Sequence, residues 1–271
     1  MCGIAAIVSP KVEIPDGAIA AMTNCLAHRG PDGYGYATFP RCHLGHRRLS
    51  IIDLATGAQP MTDATERYWI TFNGEIYNYR ELRVELQRCG WTFRTQSDTE
   101  VIIRAYQEYG EAAPQHLNGQ FAFAIWDSVE QRLFAARDRL GEKPLYWAQS
   151  SQGHFAIASE IKAFIASELI EPQLDRAAVD AYLALLYVPP DRTIYTNVHT
   201  LRPGHTLTWE AGRIKTVCYW QPAYSQTDPL ELPEAIEQLR HLISQAVHRQ
   251  MVADVPVGAF LSGGLDSSTI V

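Results

Sequence analysis

The first eight residues, Met1-Cys2-Gly3-Ile4-Ala5-Ala6-Ile7-Val8, decide how the rest of the chain is read. The run is apolar but short and carries no positive start, so it does not have the form of a secretory signal. It reads instead as a buried strand that begins at the terminus itself. The side chain of Cys2 is small, so removal of the initiator Met1 leaves one residue carrying both a thiol and a free α-amine. With a thiol pKa near ~8.5 and an amine near ~8, the amine can take the thiol proton, directly or through water, and return it to a leaving group. The alternative is a small apolar residue in a first strand.

The 271 residues are 46% hydrophobic and 20% charged, which suits a globular protein and excludes disorder or a small disulfide scaffold. No apolar run approaches the ~18 residues of a membrane span, so no membrane association is expected. A net charge of −7 leaves no basic excess to meet a phosphate backbone, so nucleic acid is not an expected partner. The five cysteines are odd in number and form no C-x-x-C, which points to a reducing cytoplasm. Cys25, Cys42, Cys89 and Cys218 are expected to pack as small buried residues, and no metal is expected at His43 or His46.

Moving outward from the terminus, short β-rich runs alternate with a few amphipathic helices. Strands are expected over Gly3–Val8, Gly33–Phe39, Leu44–Asp53, Tyr68–Asn73, Gln120–Asp127, Arg132–Arg137 and His154–Ala158. Helical spacing links Ile19, Met22 and Leu26, then Leu82 and Leu86 before Gly90, then Val101, Ala105 and Tyr109 before Gly110. Ser97-Asp98-Thr99-Glu100 has the spacing of a capping box. Strands in sequential runs with clustered helices predict an α+β fold of antiparallel sheets covered by helices.

Val179, Tyr182, Leu183 and Leu186 predict one more helix, ending at Pro189-Pro190, and a hairpin follows over His205–Glu210 and Arg213–Trp220. The domain organisation read from this is a first domain over 2–220, a linker over 221–233 with three prolines, and the beginning of a second, α/β domain over 234–271. In the last part, Ile236, Leu239, Ile243, Ala246 and Val247 line a helix face, Val255–Leu261 reads as a buried strand, and Ser262-Gly263-Gly264 as a glycine turn before another helix.

Four segments add to the opening: His28-Arg29-Gly30-Pro31-Asp32-Gly33, His46-Arg47-Arg48-Leu49-Ser50-Ile51, Phe72-Asn73-Gly74-Glu75-Ile76-Tyr77-Asn78 and Ser97-Asp98-Thr99-Glu100. Together with Met1-Cys2-Gly3-Ile4 they resemble the class II glutamine amidotransferases, which use an amino-terminal cysteine in the Ntn-hydrolase fold. Asp138-Arg139-Leu140-Gly141-Glu142-Lys143-Pro144-Leu145-Tyr146, Ser159-Glu160-Ile161-Lys162 and Ser262-Gly263-Gly264-Leu265-Asp266-Ser267-Ser268 make the whole chain similar to the amino-terminal part of the glutamine-hydrolysing asparagine synthetases. The resemblance implies a four-layer αββα sandwich followed by the truncated start of an ATP-pyrophosphatase-type domain. It also implies two linked reactions: Cys2 releases ammonia from L-glutamine, and the second domain, with ATP and Mg²⁺, activates L-aspartate for ammonia to attack. Glutamine hydrolysis itself needs no cofactor.

The residues can be weighed on their chemistry, with placement from the resemblance. A thiolate attacking an amide creates an oxyanion, which needs donors fixed in advance. The side-chain amide of Asn73 and the backbone N–H of Gly74 suit that task, although an Asn-Gly pair also suits a turn. Arg48 offers a planar fork for the glutamine carboxylate. Its neighbour Arg47 would lie on the opposite strand face, and the family motif places the contact on the residue before Leu49. Asp98, with Ser97 as N-cap, is left to meet the substrate ammonium or simply to complement the helix dipole. Glu75 and backbone groups of Ser50 and Ile51 are further candidates for the polar end of glutamine. His28–Gly33 reads as a tight turn with no assigned chemistry.

Leu261, Ser262, Gly263, Gly264, Asp266 and Ser267 resemble the pyrophosphate loop of ATP pyrophosphatases, with Asp266 a candidate Mg²⁺ ligand; the Gly-Lys-Ser/Thr of a Walker loop is absent. Three readings are therefore carried forward: a glutamine-dependent asparagine synthetase, an amidotransferase for another carboxylic acid, and a non-catalytic interaction module of the same fold. A homodimer is left open.

Overall fold

The computed structural model describes residues 1–224 and 230–271 and divides into two compact units, Met1–Gln221 and Pro222–Val271. In the first unit β1 (Gly3–Val8), α1 (Ala18–Asn24), β2 (Gly33–Phe39), β3 (Cys42–Arg48), β4 (Met61–Thr62) and β5 (Tyr68–Ile76) precede a helical segment of α2 (Tyr79–Arg88), α3 (Asp98–Tyr109) and α4 (Ala113–His116). Then come β6 (Gly119–Asp127), β7 (Arg132–Arg137), β8 (Tyr146–Gln149), β9 (Phe155–Ala158), α5 (Lys162–Ala166), α6 (Arg176–Leu185), β10 (Val198–Thr200), β11 (His205–Glu210) and β12 (Arg213–Cys218).

The strands form two six-stranded sheets, ordered β10-β8-β9-β1-β3-β2 and β12-β11-β7-β6-β5-β4. All their pairings are antiparallel. Strand alternation gives each sheet two apolar faces. Ile4, Ala6, Val8 and Leu44 of the first sheet meet Ala122, Ala124, Trp126 and Leu133 of the second in the central core. Ala5, Ile7 and Ala156 on the outer face of the first sheet pack on Ile19 and Met22 of α1 and Phe164 of α5. Helices α2 and α3 cover the second sheet, with Tyr106 of α3 stacked on Phe134 at 5.0 Å between ring centroids. The order of layers is helix, sheet, sheet, helix.

The terminal strand Gly3–Val8 is wholly buried, at the centre of its sheet between β3 and β9. Several expectations are corrected. The strand expected over 44–53 ends at Arg48, because Asp53 turns the chain with φ +50° and its carboxylate accepts from Thr56 N (2.9 Å) and Gln96 N (2.8 Å), closing 49–57 into a loop. Ser97 caps α3 by accepting from Thr99 N (3.1 Å), but no capping box forms: the Glu100 carboxylate is taken by the N–H groups of Arg94 and Thr95. Of the four cysteines expected inside, only Cys42 is buried. Cys25 is half-buried, Cys89 lies past the last buried residue of α2 and Cys218 ends a sheet-edge strand, so both of these are exposed. The expected helix forms but ends at Leu185, ahead of Pro189-Pro190, because Leu186 turns left-handed with φ +61°; Tyr182, Leu183 and Leu186 stay exposed.

The second unit contains α7 (Leu232–Gln250) and α8 (Leu265–Ile270). Helix α7 starts inside the expected linker, of which 225–229 lie outside the described residues. The strand expected over 255–261 is not formed, and Val257, Phe260 and Leu261 are exposed. A strand needs a neighbour to complete its ladder, and none of the described residues pairs with this stretch.

Candidate active site

Cys2 precedes β1 and so continues its inward face beyond Ile4, at the open end of the space between the sheets. Its sulfur accepts a hydrogen bond from Leu49 N–H (3.4 Å) and lies 3.6 Å from Leu49 O. Burial pushes the thiol pKa up, with the Leu49 hydrogen bond opposing. No standing thiolate is therefore supplied by the surroundings, and a base must be at hand. The backbone of Cys2 is clamped: Arg29 Nε donates to its carbonyl (2.9 Å) while Arg29 Nη1 pairs with Glu160 (3.0 Å). Ser159 Oγ accepts from Ile4 N (3.0 Å), so Ser159-Glu160 serves to anchor the terminal strand.

A pocket of about 270 Å³ opens beside the thiol, and Cys2, Arg48, Ile51, Asn73, Gly74, Glu75 and Asp98 all line it. That volume lies just below the ~300–1,000 Å³ of drug-sized ligand pockets and suits a free amino acid. Arg48 closes one side. The 49–57 loop holds its guanidinium through the carbonyls of Asp53 (2.6 Å) and Leu54 (3.2 Å). Strand alternation sends Arg47 the other way, to Thr23 O (3.2 Å) and the ring of Tyr34.

Asn73 and Gly74 stand on β5, opposite Ala122 and Phe121 of β6. Asn73 is fully buried, and neither atom of its side-chain amide has a protein partner. Gly74 has φ +153°, and a Cβ there would collide with the Gln120 carbonyl oxygen, so a close strand-to-strand approach requires glycine. The turn reading of this pair is thereby set aside: both residues lie inside a strand. Asp98, in the first turn of α3, is 4% exposed; one of its carboxylate oxygens accepts from Ile76 N (3.1 Å). Burial raises its pKa to about 7, and Glu75 pushes the same way.

Ser50 is the sequence-predicted residue that does not line the pocket; its N–H is given to the Asp32 carboxylate (2.8 Å). Leu261, Ser262, Gly263, Gly264, Asp266 and Ser267 lie in the other unit. There Gly263 turns with φ +78°, Ser262 and Ser267 share a hydrogen bond (3.0 Å), and Asp266 enters the first turn of α8. Hydroxyls, turn amides and a carboxylate are a donor set that fits a phosphate and its Mg²⁺.

Sequence reasoning passed over Arg29, Gln59, Thr99, Gln120 and Lys143. Gln59 accepts from Phe72 N (2.7 Å) and donates to Thr99 Oγ1 (3.3 Å), tying the Asp98 helix to β5 across the pocket. Lys143 faces the pocket with Glu75; burial lowers the lysine pKa and raises that of the glutamate, and each charge opposes the other's shift. Its turn is folded around Asp138, whose carboxylate accepts from Phe121, Leu140, Glu142 and Lys143 N–H groups. Arg29, Thr99 and Lys143 sit within the motifs that carry the resemblance, but only the fold shows which way they face. For Gln59 the sequence carried no signal.

A helix-sheet-sheet-helix sandwich with a cysteine at the head of its central strand is the architecture of the Ntn hydrolases. The *B. subtilis* glutamine phosphoribosylpyrophosphate amidotransferase shares this fold, with a TM-score of 0.61 and 21% identity over 82% of this chain and 50% of that one. The chain belongs to the glutamine amidotransferase domain family, whose model matches residues 1–220, and residues 238–271 match the asparagine synthase model. Asparagine synthetase [glutamine-hydrolyzing] 1 of *Bacillus subtilis* is 40% identical over 277 residues, covering 100% of this chain and 43% of the relative. A *Penicillium rubens* relative described as amidase chyE is 37% identical over 250 residues, covering 90% of this chain and 36% of its own length. The chain thus spans less than half the length of these curated relatives. Among the described residues no helix is long and apolar enough to cross a membrane.

Proposed function

We propose that the first unit hydrolyses L-glutamine to glutamate and ammonia, and that within a longer protein the ammonia amidates L-aspartate to L-asparagine. One observation carries the first half. A thiol, an unpartnered buried amide, a guanidinium and a buried carboxylate converge on a pocket of amino-acid size. With Met1 removed, the Cys2 α-amine takes the thiol proton as sulfur attacks the side-chain carbonyl carbon. Asn73 Nδ2 and Gly74 N–H receive the oxyanion, the amine returns the proton to the departing nitrogen, and ammonia leaves a glutamyl thioester. Water then attacks the thioester, giving glutamate and the free thiol. Arg48 takes the substrate carboxylate, Asp98 its ammonium, and Glu75 and Ile51 complete the polar end.

In the longer protein the Leu261–Ser267 loop would hold ATP phosphates, with Asp266 toward Mg²⁺. ATP when bound supplies the adenylyl group that activates the aspartate carboxylate, with AMP and pyrophosphate released. Residues 2–220, 221–233 and 234–271 are read as glutaminase domain, linker and start of the synthetase domain, working in the cytoplasm, with dimerisation open. The first half is tested by glutamate release without ATP: a chain freed of Met1 should turn over glutamine, and no release would refute it. The amidase-named relative, 37% identical over 90% of this chain, favours carrying a second reading, another carboxylic acid as acceptor. Acceptor competition on the longer protein separates the two.

The pH dependence follows from Asp98. Its carboxyl titrates at about 7 in the empty site, and the substrate ammonium pairs with the ionised form. Below pH 7 the carboxyl is protonated, so KM for glutamine should rise roughly tenfold per unit as pH falls. Under saturation the bound ammonium holds Asp98 ionised, so this group leaves kcat nearly flat. A KM independent of pH from 5.5 to 8 would remove Asp98 from the ammonium site.

A further inference from the structure

Alternation along β3 turns His46 and Arg48 toward the second sheet, and alternation along β5 turns Thr71 and Asn73 back toward the first. Thr71 and Asn73 stand opposite Ala124 and Ala122, which belong to the core between the sheets. His46 Nδ1 lies 3.1 Å from Thr71 Oγ1, spanning that space one strand step below Arg48 and Asn73. Gly45 O, 3.1 Å from the same Oγ1, can only accept, so both contacts are hydrogen bonds only when the Thr71 hydroxyl donates to Gly45 O. A hydroxyl has one proton, so toward His46 it accepts. The imidazole therefore carries its proton on Nδ1 and presents a bare lone pair at Nε2. Burial and the nearby Arg48 charge draw the ring pKa down to about 3, so it stays neutral near pH 7.

His46 and Asn73 are both fully buried. His46 Nε2, Asn73 Nδ2 and Asn73 Oδ1 are buried polar atoms with no protein partner, so Asn73 does not reach Nε2 directly in either amide orientation. We propose that His46 is a positioning residue that fixes the orientation of the Asn73 amide through one internal water, which donates one hydrogen to His46 Nε2 and the other to Asn73 Oδ1. A buried water satisfies polar atoms that are otherwise left without a partner. A water spending both protons on two acceptors forces Oδ1 inward and turns the Nδ2 hydrogens toward Cys2. An acceptor-only nitrogen beneath the site thus decides that the amide offers a donor, not an oxygen, to the developing oxyanion. This role rests on the glutaminase reading above.

The test combines two measurements on the Met1-free chain. Long-range ¹H–¹⁵N correlation with ¹⁵N-histidine should show His46 as the Nδ1–H tautomer, unchanged between pH 5.5 and 8.5; an Nε2–H tautomer or a titrating ring overturns the proposal. In glutamate-release kinetics, His46→Leu should lower kcat about 10- to 100-fold with KM within about threefold, as expected for an interaction felt mainly in the transition state. His46→Gln, whose amide can donate to Thr71 and accept from the water, should recover kcat to within about fivefold. An unchanged kcat in His46→Leu, a matching rise in KM, or no recovery in His46→Gln contradicts it. If His46→Leu does not fold, the wild-type tautomer and His46→Gln decide. Wild-type chain releasing no glutamate would instead refute the glutaminase reading, and the tautomer would still judge the hydrogen-bond chain.

Discussion

Cys2→Ala should lower glutamate release by at least ~10⁴-fold while leaving the fold intact, because it deletes the thiol on which the glutamyl thioester forms. The alanine keeps the α-amine, the Arg29 clamp on the residue-2 carbonyl and the Ser159 anchor on Ile4, so the terminal strand should remain in register. Retaining Met1 on the natural chain should have a comparable effect for a different reason. The amine is then acylated and cannot accept the thiol proton, and burial already holds that thiol up. Steady-state glutamate assays on Cys2→Ala and on Met1-retained chain check both; appreciable turnover by either would show that another group performs the attack.

Asn73→Ala is expected to lower kcat by about 10²- to 10³-fold with little change in KM, the range for removing one oxyanion donor. The split follows from geometry. In the free protein the Asn73 amide bonds no protein group, so its removal leaves no protein partner orphaned and the melting temperature should shift little. In the proposed mechanism the substrate is anchored elsewhere, on Arg48 and Asp98, so ground-state binding should be preserved. A KM rise equal to the kcat loss would make Asn73 a substrate-binding residue and not a transition-state donor.

Much of this architecture was legible before any coordinates. The strand at 3–8 announced itself through six apolar residues without a charged flank, and alternation set Arg47 and Arg48 on opposite faces, with the family motif choosing Arg48 for the site. What the sequence could not carry is long-range hydrogen bonding. Asp53 ends the third strand early because its carboxylate finds Gln96 N–H, 43 residues away, and no local pattern encodes that meeting. Glu100 abandons its capping-box partner for the N–H groups of Arg94 and Thr95, six and five residues back, because the loop before Ser97 folds over its carboxylate. In the site, residue types with an evident chemical task were visible: a terminal thiol, an Asn-Gly pair, an arginine fork. Positioning groups were not. Arg29, Gln59 and His46 act by what they touch, and their partners lie on other elements. The missing strand over 255–261 marks the same limit from the other side, since an apolar run becomes a strand only where a ladder exists to receive it.

The central claim is that the thiol of the residue made amino-terminal by loss of Met1 attacks the carboxamide of glutamine. Intact and peptide mass spectrometry after exposure to DON, the diazo-ketone analogue of glutamine, measures this directly. The account predicts a chain lacking Met1 that takes up one equivalent, all of it on the Cys2 peptide, with excess glutamine slowing the labelling. Labelling confined to Cys25, Cys89 or Cys218, or an active Met1-free chain left unlabelled at Cys2, would contradict it.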